Sequence, residues 1–359
     1  MAMQAHVFQP GSEDTFLLYA EGLFSERSAK TAHMILRYTP ERVACVVDST
    51  NAGQQVRDVY PNAPVDIPIV RSVEQAVEMN PTHFIIGVAP VGGQLPPEWK
   101  NSILKAIESK LTIVSGLHTF LSEDPEIQQA AESNNVAILD LRRSPEISSI
   151  SNGSWRDREV PVVLTIAPDS AIGKLTAAWE LKRQLDARGK KVGFVATGQT
   201  GILLHGEGIV VDALRGDFIS SAVETMIETE IEKGAEVVIV EGQGAVFHEG
   251  FSAVTLGILH GCMPDAFLFV HRPGRNQNDY GFHFPPYRKM INVYEELIEW
   301  FRPAVTIGVQ LDTSEYEADT ARKMVEEVAH ISGLPATDFV RFPDDPVIDD
   351  MIHKLHLDS

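Results

Sequence analysis

The chain has 359 residues, 44% hydrophobic and 22% charged, an ordinary globular composition that excludes a disordered chain or a collagen-like fibre. At roughly 100–200 residues per domain, that length favours two domains. Its 30 Lys and Arg against 50 Asp and Glu give a net charge of −20, a field that repels nucleic-acid phosphates and anionic membrane surfaces. No nucleic-acid or membrane partner is therefore expected. A small anionic ligand is still compatible, because a few local cations and backbone N–H groups override the global sign. No stretch approaches the ~18 apolar residues of a membrane helix, and Met1–Phe16 lacks the pattern of a signal peptide. Cys45 and Cys262 are too few for a disulfide framework and too isolated for a zinc knuckle. A cytoplasmic location is the expectation.

The first half alternates short apolar runs with amphipathic stretches. Thr15–Tyr19, Arg42–Asp48, His83–Ala89, Leu111–Ser115 and Val136–Asp140 read as buried strands. Helices are predicted over Ser28–Tyr38 and Trp99–Lys110 between them. Strand–helix alternation of this kind implies an α/β fold, a parallel sheet with helices on both faces. Ligands of such sheets lie beyond the carboxyl ends of the strands, where Gly22, Asp48, Pro90–Gly93 and Gly116–His118 fall. Between Arg142 and Val160 the pattern dissolves into Ser, Pro, Asn, Gly and charge, so the domain boundary is placed at about residue 150. The division is then 1–150 and 151–359. The second half restarts with Pro161–Ile166 and a helix Lys174–Arg188, on which Leu175, Ala178, Leu181 and Leu185 share one face. Strands Lys191–Thr197, Glu236–Val240, Ala266–Val270 and Ala304–Gln310 follow, then a helix Glu317–Ile331. Two doubly wound domains with mostly parallel sheets are the expected architecture.

The sharpest motif is the junction VVLTIAPDSAIGKLTAAWEL, a strand, a loop and a helix start. A phosphate loop needs that context, because loop amides and a helix N-terminus converge on one anion while a lysine adds a point charge. Gly173 lets the backbone come close to the ligand, Lys174 bridges phosphate oxygens, and Asp169, Ser170 and Thr176 complete the expected phosphate-binding set. The usual GxxxxGK[ST] spacing is not kept, since Pro168 holds the first glycine position. Leu175 stands where Ser or Thr normally binds Mg²⁺, and Thr176 lies about 100° further around the helix. Nucleoside-triphosphate hydrolysis is thereby weakened. A pyrophosphate or a 3′-phosphate, which needs only charge and N–H donors, is still suited, and coenzyme A carries both. The bland alternative is a helix start capped by Asp169 or Ser170.

Several segments together, TIAPDSAIGKLTAAWEL, KVGFVATGQTGIL, VDALRGDF and VVIVEGQGAVFHEGFSAVTLGILHG, resemble a former domain-of-unknown-function family that pairs a Rossmann-like half with a P-loop half. GVAPVGGQLPPEWK and VSGLHTFLSEDPE extend the resemblance into the first half. The family is typified by D-glutamate N-acetyltransferase, and its P-loop half is similar to dethiobiotin synthetase, whose loop begins Gly-Thr-Asp where this chain has Ala167-Pro168-Asp169. The resemblance implies acetyl-CoA-dependent N-acetylation of a D-amino acid such as D-glutamate. The alternatives it leaves are a Mg-ATP-dependent ligase or carboxylate-activating enzyme, and a nucleotide-binding protein without turnover.

Acetyl transfer to an amine needs a held thioester, a proton acceptor and donors for the oxyanion. Glu241, at the end of strand Glu236–Val240, is a candidate base or, if a Mg-nucleotide binds, a metal ligand with Thr176. It could equally be an acidic strand end closed by the Gly242-Gln243-Gly244 turn. His248 is a candidate proton acceptor, though the sequence offers it no orienting acid, and Asp212 is a third candidate or a helix cap. Arg215, Arg272 and Arg275 are candidates for the substrate carboxylates, against the alternative of solvated ion pairs. Asn276–Tyr287, rich in Asn, Gly, Pro and aromatics, reads as a lid or a contact of a homo-oligomer, the expected assembly. The first half has no GxGxxG, only Gly22 after its first strand, with Asp48 at the end of its second.

Overall fold

The computed structural model describes residues 6–25, 27–145, 147 and 149–355, excepting the side chains of His6, Arg27 and Val91. They form two compact units, one within residues 6–145 with 199–213, the other within residues 149–198 with 214–355.

In the first unit six strands make one parallel sheet: β1 (Phe16–Tyr19), β2 (Val43–Val47), β3 (Ile69–Val70), β4 (His83–Ile86), β5 (Thr112–Ser115) and β6 (Ile138–Asp140). Their order is β3-β2-β1-β4-β5-β6, the order of a Rossmann-like sheet. The apolar, β-branched runs become strands because both faces of a parallel sheet are covered: every residue of Phe16–Tyr19 is buried. The expected strand His83–Ala89 ends earlier, at Ile86. At Gly87 a Cβ would lie 2.7 Å from the Ala32 Cβ, and the Gly87 carbonyl accepts from the Ala32 N–H at 2.8 Å. Helix Lys30–Tyr38 thus takes the chain out of the sheet at that glycine.

Residues 199–213 pack with this unit, at the carboxyl ends of its strands. Thr200 and Thr31 share a hydroxyl hydrogen bond of 2.8 Å, and Gln199 lies 2.8 Å from where a Gly116 Cβ would be. Arg142 pairs with Asp212 at 2.6 Å, the Ser144 hydroxyl donates to the Ala213 carbonyl, and Glu207–Gly208 pairs antiparallel with His6–Val7. Chain therefore occupies ground where such sheets take ligands. Asp48 is fully buried and accepts from the Gly22 and Thr50 amides and the Asn51 side chain, so its carboxylate organises a turn.

The second unit is another six-stranded parallel sheet: β7 (Val162–Ile166), β8 (Val192–Val195), β9 (Val237–Val240), β10 (Ala266–His271), β11 (Val305–Leu311) and β12 (Ala336–Thr337). The order β12-β11-β10-β7-β9-β8 puts β7, the strand feeding the phosphate loop, between β10 and β9. Helix Lys174–Ala187 follows it, and the predicted face of Leu175, Ala178, Leu181 and Leu185 is buried. The linker is tied down from residue 152: the amides of Asn152, Gly153 and Ser154 each donate to the buried Glu224 carboxylate at 2.8 Å. Among the described residues no helix is long and apolar enough to cross a membrane.

Glycine sets the closest approaches. A Cβ on Gly242, just past β9, would lie 1.8 Å from the Thr165 carbonyl oxygen, and the Gly242 N–H donates to the Thr165 hydroxyl at 2.9 Å. On helix Ser252–Cys262 a Cβ on Gly261 would lie 2.5 Å from the Ser220 carbonyl oxygen. Because backbone cannot yield as a flexible side chain can, Gly242→Ala should destabilise the chain by about 1–3 kcal/mol or more. Urea denaturation reads this directly, and a wild-type midpoint would contradict the packing described.

Candidate active site

The loop between β7 and its helix runs from Ala167 to Gly173. Ala171 (φ +51°) and Gly173 (φ +110°) take left-handed conformations, which turn successive N–H groups to one side. Among the described residues the amides of Ala171, Ile172 and Gly173 donate to no protein acceptor, whereas the Ser170 amide is taken by the Asp169 carboxylate at 2.7 Å. No atom lies within 4 Å of where a Gly173 Cβ would be, so the loop has an open face. Lys174 is buried, 6% exposed, and its Nζ donates to the Asp169 carbonyl at 2.7 Å. Amides, a helix N-terminus and a lysine thus meet as anion recognition requires. Leu175 is buried in the core, and Thr176 is half-buried.

Asp169, wholly buried, ties the loop to two further segments. Its Oδ2 accepts from the Arg275 Nε at 2.9 Å and also from Nη2. Arg275 in turn pairs with Asp279 at 2.9 Å. The Asp169 Oδ1 lies 3.9 Å from Nε2 of His248, itself 2% exposed. The phosphate loop thus sets a buried acid near His248, at a separation beyond hydrogen-bond length.

Glu241 ends β9 as a buried carboxylate. One oxygen accepts from the Thr197 N–H at 3.1 Å and the other from the Gln243 side-chain amide at 3.0 Å. The Thr197 hydroxyl donates to the Glu241 carbonyl, clamping the ends of β8 and β9 together. Tyr294 bridges the two loops: its hydroxyl donates to the Ala167 carbonyl at 2.7 Å and accepts from the Val246 N–H at 3.1 Å. Burial raises its phenol well above the usual range, which keeps the donor proton in place. Thr165, Ala167, Lys174, Gly242, Gly244 and Tyr294 line a cavity of about 10 Å³, room for one water at most. A larger hollow of about 610 Å³ shares no residue with the loop and is edged by Asp157, Glu159, Glu228 and Glu232, which disfavours a phosphate there.

The structure thus brings together Asp169, Ser170, Lys174, His248 and Arg275, and sets Gly242, next to Glu241, against Lys174, whose Cδ lies 3.2 Å from a Gly242 Cβ position. Asp212 belongs to the other unit, where it pairs with Arg142. Arg272 is bound to Asp312, with Nε at 3.0 Å, and to Glu315 at 3.6 Å. Arg215 stands exposed at the N-cap of helix Gly216–Glu232. Gly242 and Gly244 admit the close approach of Thr165 and Phe251 backbone. The parts played by Thr197, Gln243, Asp279 and Tyr294 are not legible in the sequence. Each acts through a loop or tertiary contact, so no periodicity announces it.

A phosphate loop on one parallel sheet, with a second Rossmann-like sheet in the same chain, defines a two-domain α/β protein of the P-loop class. The chain belongs to the DUF1611 family: the family's P-loop domain, a domain of unknown function, matches residues 149–348 and its Rossmann-like N-terminal domain matches residues 49–144. A relative from Pseudoalteromonas sp, named D-glutamate N-acetyltransferase, is 30% identical over 77% of this chain and 83% of its own length. One of the same name from Tritonibacter scottomollicae is 30% identical over 74% of this chain and 80% of its own. The crystal structure of a DUF1611 family protein from Anabaena variabilis matches with a TM-score of 0.89 and 32% identity, covering 95% of this chain and all of that one.

Removing the loop's buried cation should weaken phosphate-ligand binding without unfolding the sheet. Lys174→Ala is expected to cost about 1.5–3 kcal/mol in affinity for a phosphate-bearing ligand, the range of charge-assisted contacts. Calorimetric titration that returns an unchanged affinity would remove Lys174 from the site.

Proposed function

We propose that this protein is an N-acetyltransferase that uses acetyl-CoA to acetylate the amine of a D-amino acid such as D-glutamate. The observation that carries the reading is the 30% identity to two bacterial relatives of that name over about three quarters of the chain. Three unclaimed amides at Ala171, Ile172 and Gly173 fit a phosphate group, as does the open face of Gly173. These groups, with Ser170, Lys174 and Thr176, would hold the phosphates of CoA. Acetyl-CoA supplies the thioester, whose C–S bond breaks as the amine nitrogen forms its bond to the acyl carbon, with the thiolate taking a proton.

The chain's own residues then have three tasks. Glu241, whose oxygens accept from the Thr197 N–H and the Gln243 side-chain amide, would take the proton of the substrate ammonium. Arg215, exposed at a helix N-terminus, is the candidate for a substrate carboxylate, because Arg272 and Arg275 are already committed to protein acids. The apolar Leu175, in place of the usual Mg²⁺-binding hydroxyl, favours a CoA ligand over Mg-ATP.

Mass spectrometry of the protein with acetyl-CoA and matched D- and L-amino acids should yield an N-acetyl-D-amino acid, with D-glutamate a substrate. CoA at 100 times its dissociation constant should also add about 2.7 kcal/mol of stability. Stabilisation by Mg-ATP alone, with no acetylated product from any amine, would reject the reading in favour of a ligase.

A further inference from the structure

His248 was weighed above as a base, and its surroundings favour a different part. Its Nδ1 accepts a hydrogen bond from the Gly250 N–H at 3.1 Å. A neutral imidazole has one donor and one acceptor nitrogen, so an accepting Nδ1 puts the ring proton on Nε2. That nitrogen faces the Asp169 Oδ1 at 3.9 Å, beyond hydrogen-bond length. A base acting through Nε2 would need the opposite arrangement, a lone pair on that nitrogen.

A metal centre is the obvious competitor, because ligand atoms of Asp169, His248 and Asp279 all lie within 4.8 Å of one another. Two observations oppose it. A metal-bound histidine donates from its other ring nitrogen, whereas here that nitrogen accepts. The Arg275 guanidinium already bridges Asp169 and Asp279, so the cation of this cluster is a side chain.

We infer that His248 is a hydrogen-bond donor, through Nε2–H, to an oxygen of the bound ligand. On the proposed function, on which this identification of the oxygen rests, it is the thioester carbonyl, where negative charge gathers as the amine attacks. The Asp169 carboxyl lies on the Nε2 side of the ring, 3.9 Å away. The ring is held by Phe251, stacked at 4.3 Å, and by the edge of Tyr280 at 5.2 Å. Both holders are themselves exposed, at 48% and 68%, so surface side chains alone lie between the ring and solvent on those sides.

The ring tautomer can be read in the full-length protein by ¹⁵N NMR of labelled histidine, with the signal assigned by its loss in His248→Gln. The expected result is a protonated Nε2 and a bare Nδ1 in the free protein, with the Nε2 proton moving downfield when acetyl-CoA is added. His248→Gln, which keeps an N–H donor, should retain turnover within about tenfold, while His248→Ala should lose about 100-fold or more. Protonation at Nδ1, or a Gln variant no better than Ala while both fold, overturns the inference. The tautomer needs no turnover to be seen. A wild-type protein with the Nε2–H tautomer that acetylates no amine would defeat the proposed function and leave the donor assignment standing.

Discussion

The second unit is organised around one carboxylate. Asp169 is wholly buried, and an unpaired buried charge costs several kcal/mol. The Ser170 amide and the Arg275 guanidinium meet it. The same residue's carbonyl receives the Lys174 ammonium. One position thus sets the shape of the loop, the place of its lysine, the anchoring of the segment around Arg275 and the charge that His248 faces. Losing the side chain would leave Arg275 without its buried partner, and the loop would lose the contact that joins it to the strand β10 side of the sheet.

Packing around that carboxylate explains why its neighbours are small or tightly held. Gly242 lets β9 come against Thr165 of β7, so Glu241 arrives beside the loop by backbone contact. Tyr294 then pins Ala167 to Val246 from a helix behind. These contacts are polar, and among the described residues they leave the amides of Ala171, Ile172 and Gly173 without a protein acceptor. The loop's supports are thus spent on protein groups, while these three donors are not.

Much of the fold was legible in the residues. Apolar β-branched runs such as Val162–Ile166 and the helical face of Leu175, Ala178, Leu181 and Leu185 carry their own periodicity, and both sheets appeared where those patterns predicted. Strand ends were less legible, because a helix packed on Gly87 cut β4 short. The assignment of residues 199–213 to the first unit could not be read, since their attachment runs through Thr31–Thr200 and Arg142–Asp212, contacts between residues far apart in sequence. The site divides in the same way. The phosphate loop is local and was found by its strand–loop–helix context. The pairing of Asp169 with Arg275 and its approach to His248 join residues separated by about eighty to a hundred positions in sequence, which no spacing rule encodes. Arg272, chemically the equal of Arg275 in the sequence, is distinguished only by its partner Asp312.

The central claim is that the turn entering the helix at Lys174 receives a phosphate while Asp169 keeps its hold on Arg275. A crystal structure of the protein with CoA bound tests it most directly. The account predicts phosphate oxygens within hydrogen-bond reach of the Ala171, Ile172 and Gly173 amides and of the Lys174 ammonium, with the Asp169–Arg275 pair intact. CoA phosphates held elsewhere, with those three amides turned away from the ligand, would contradict it.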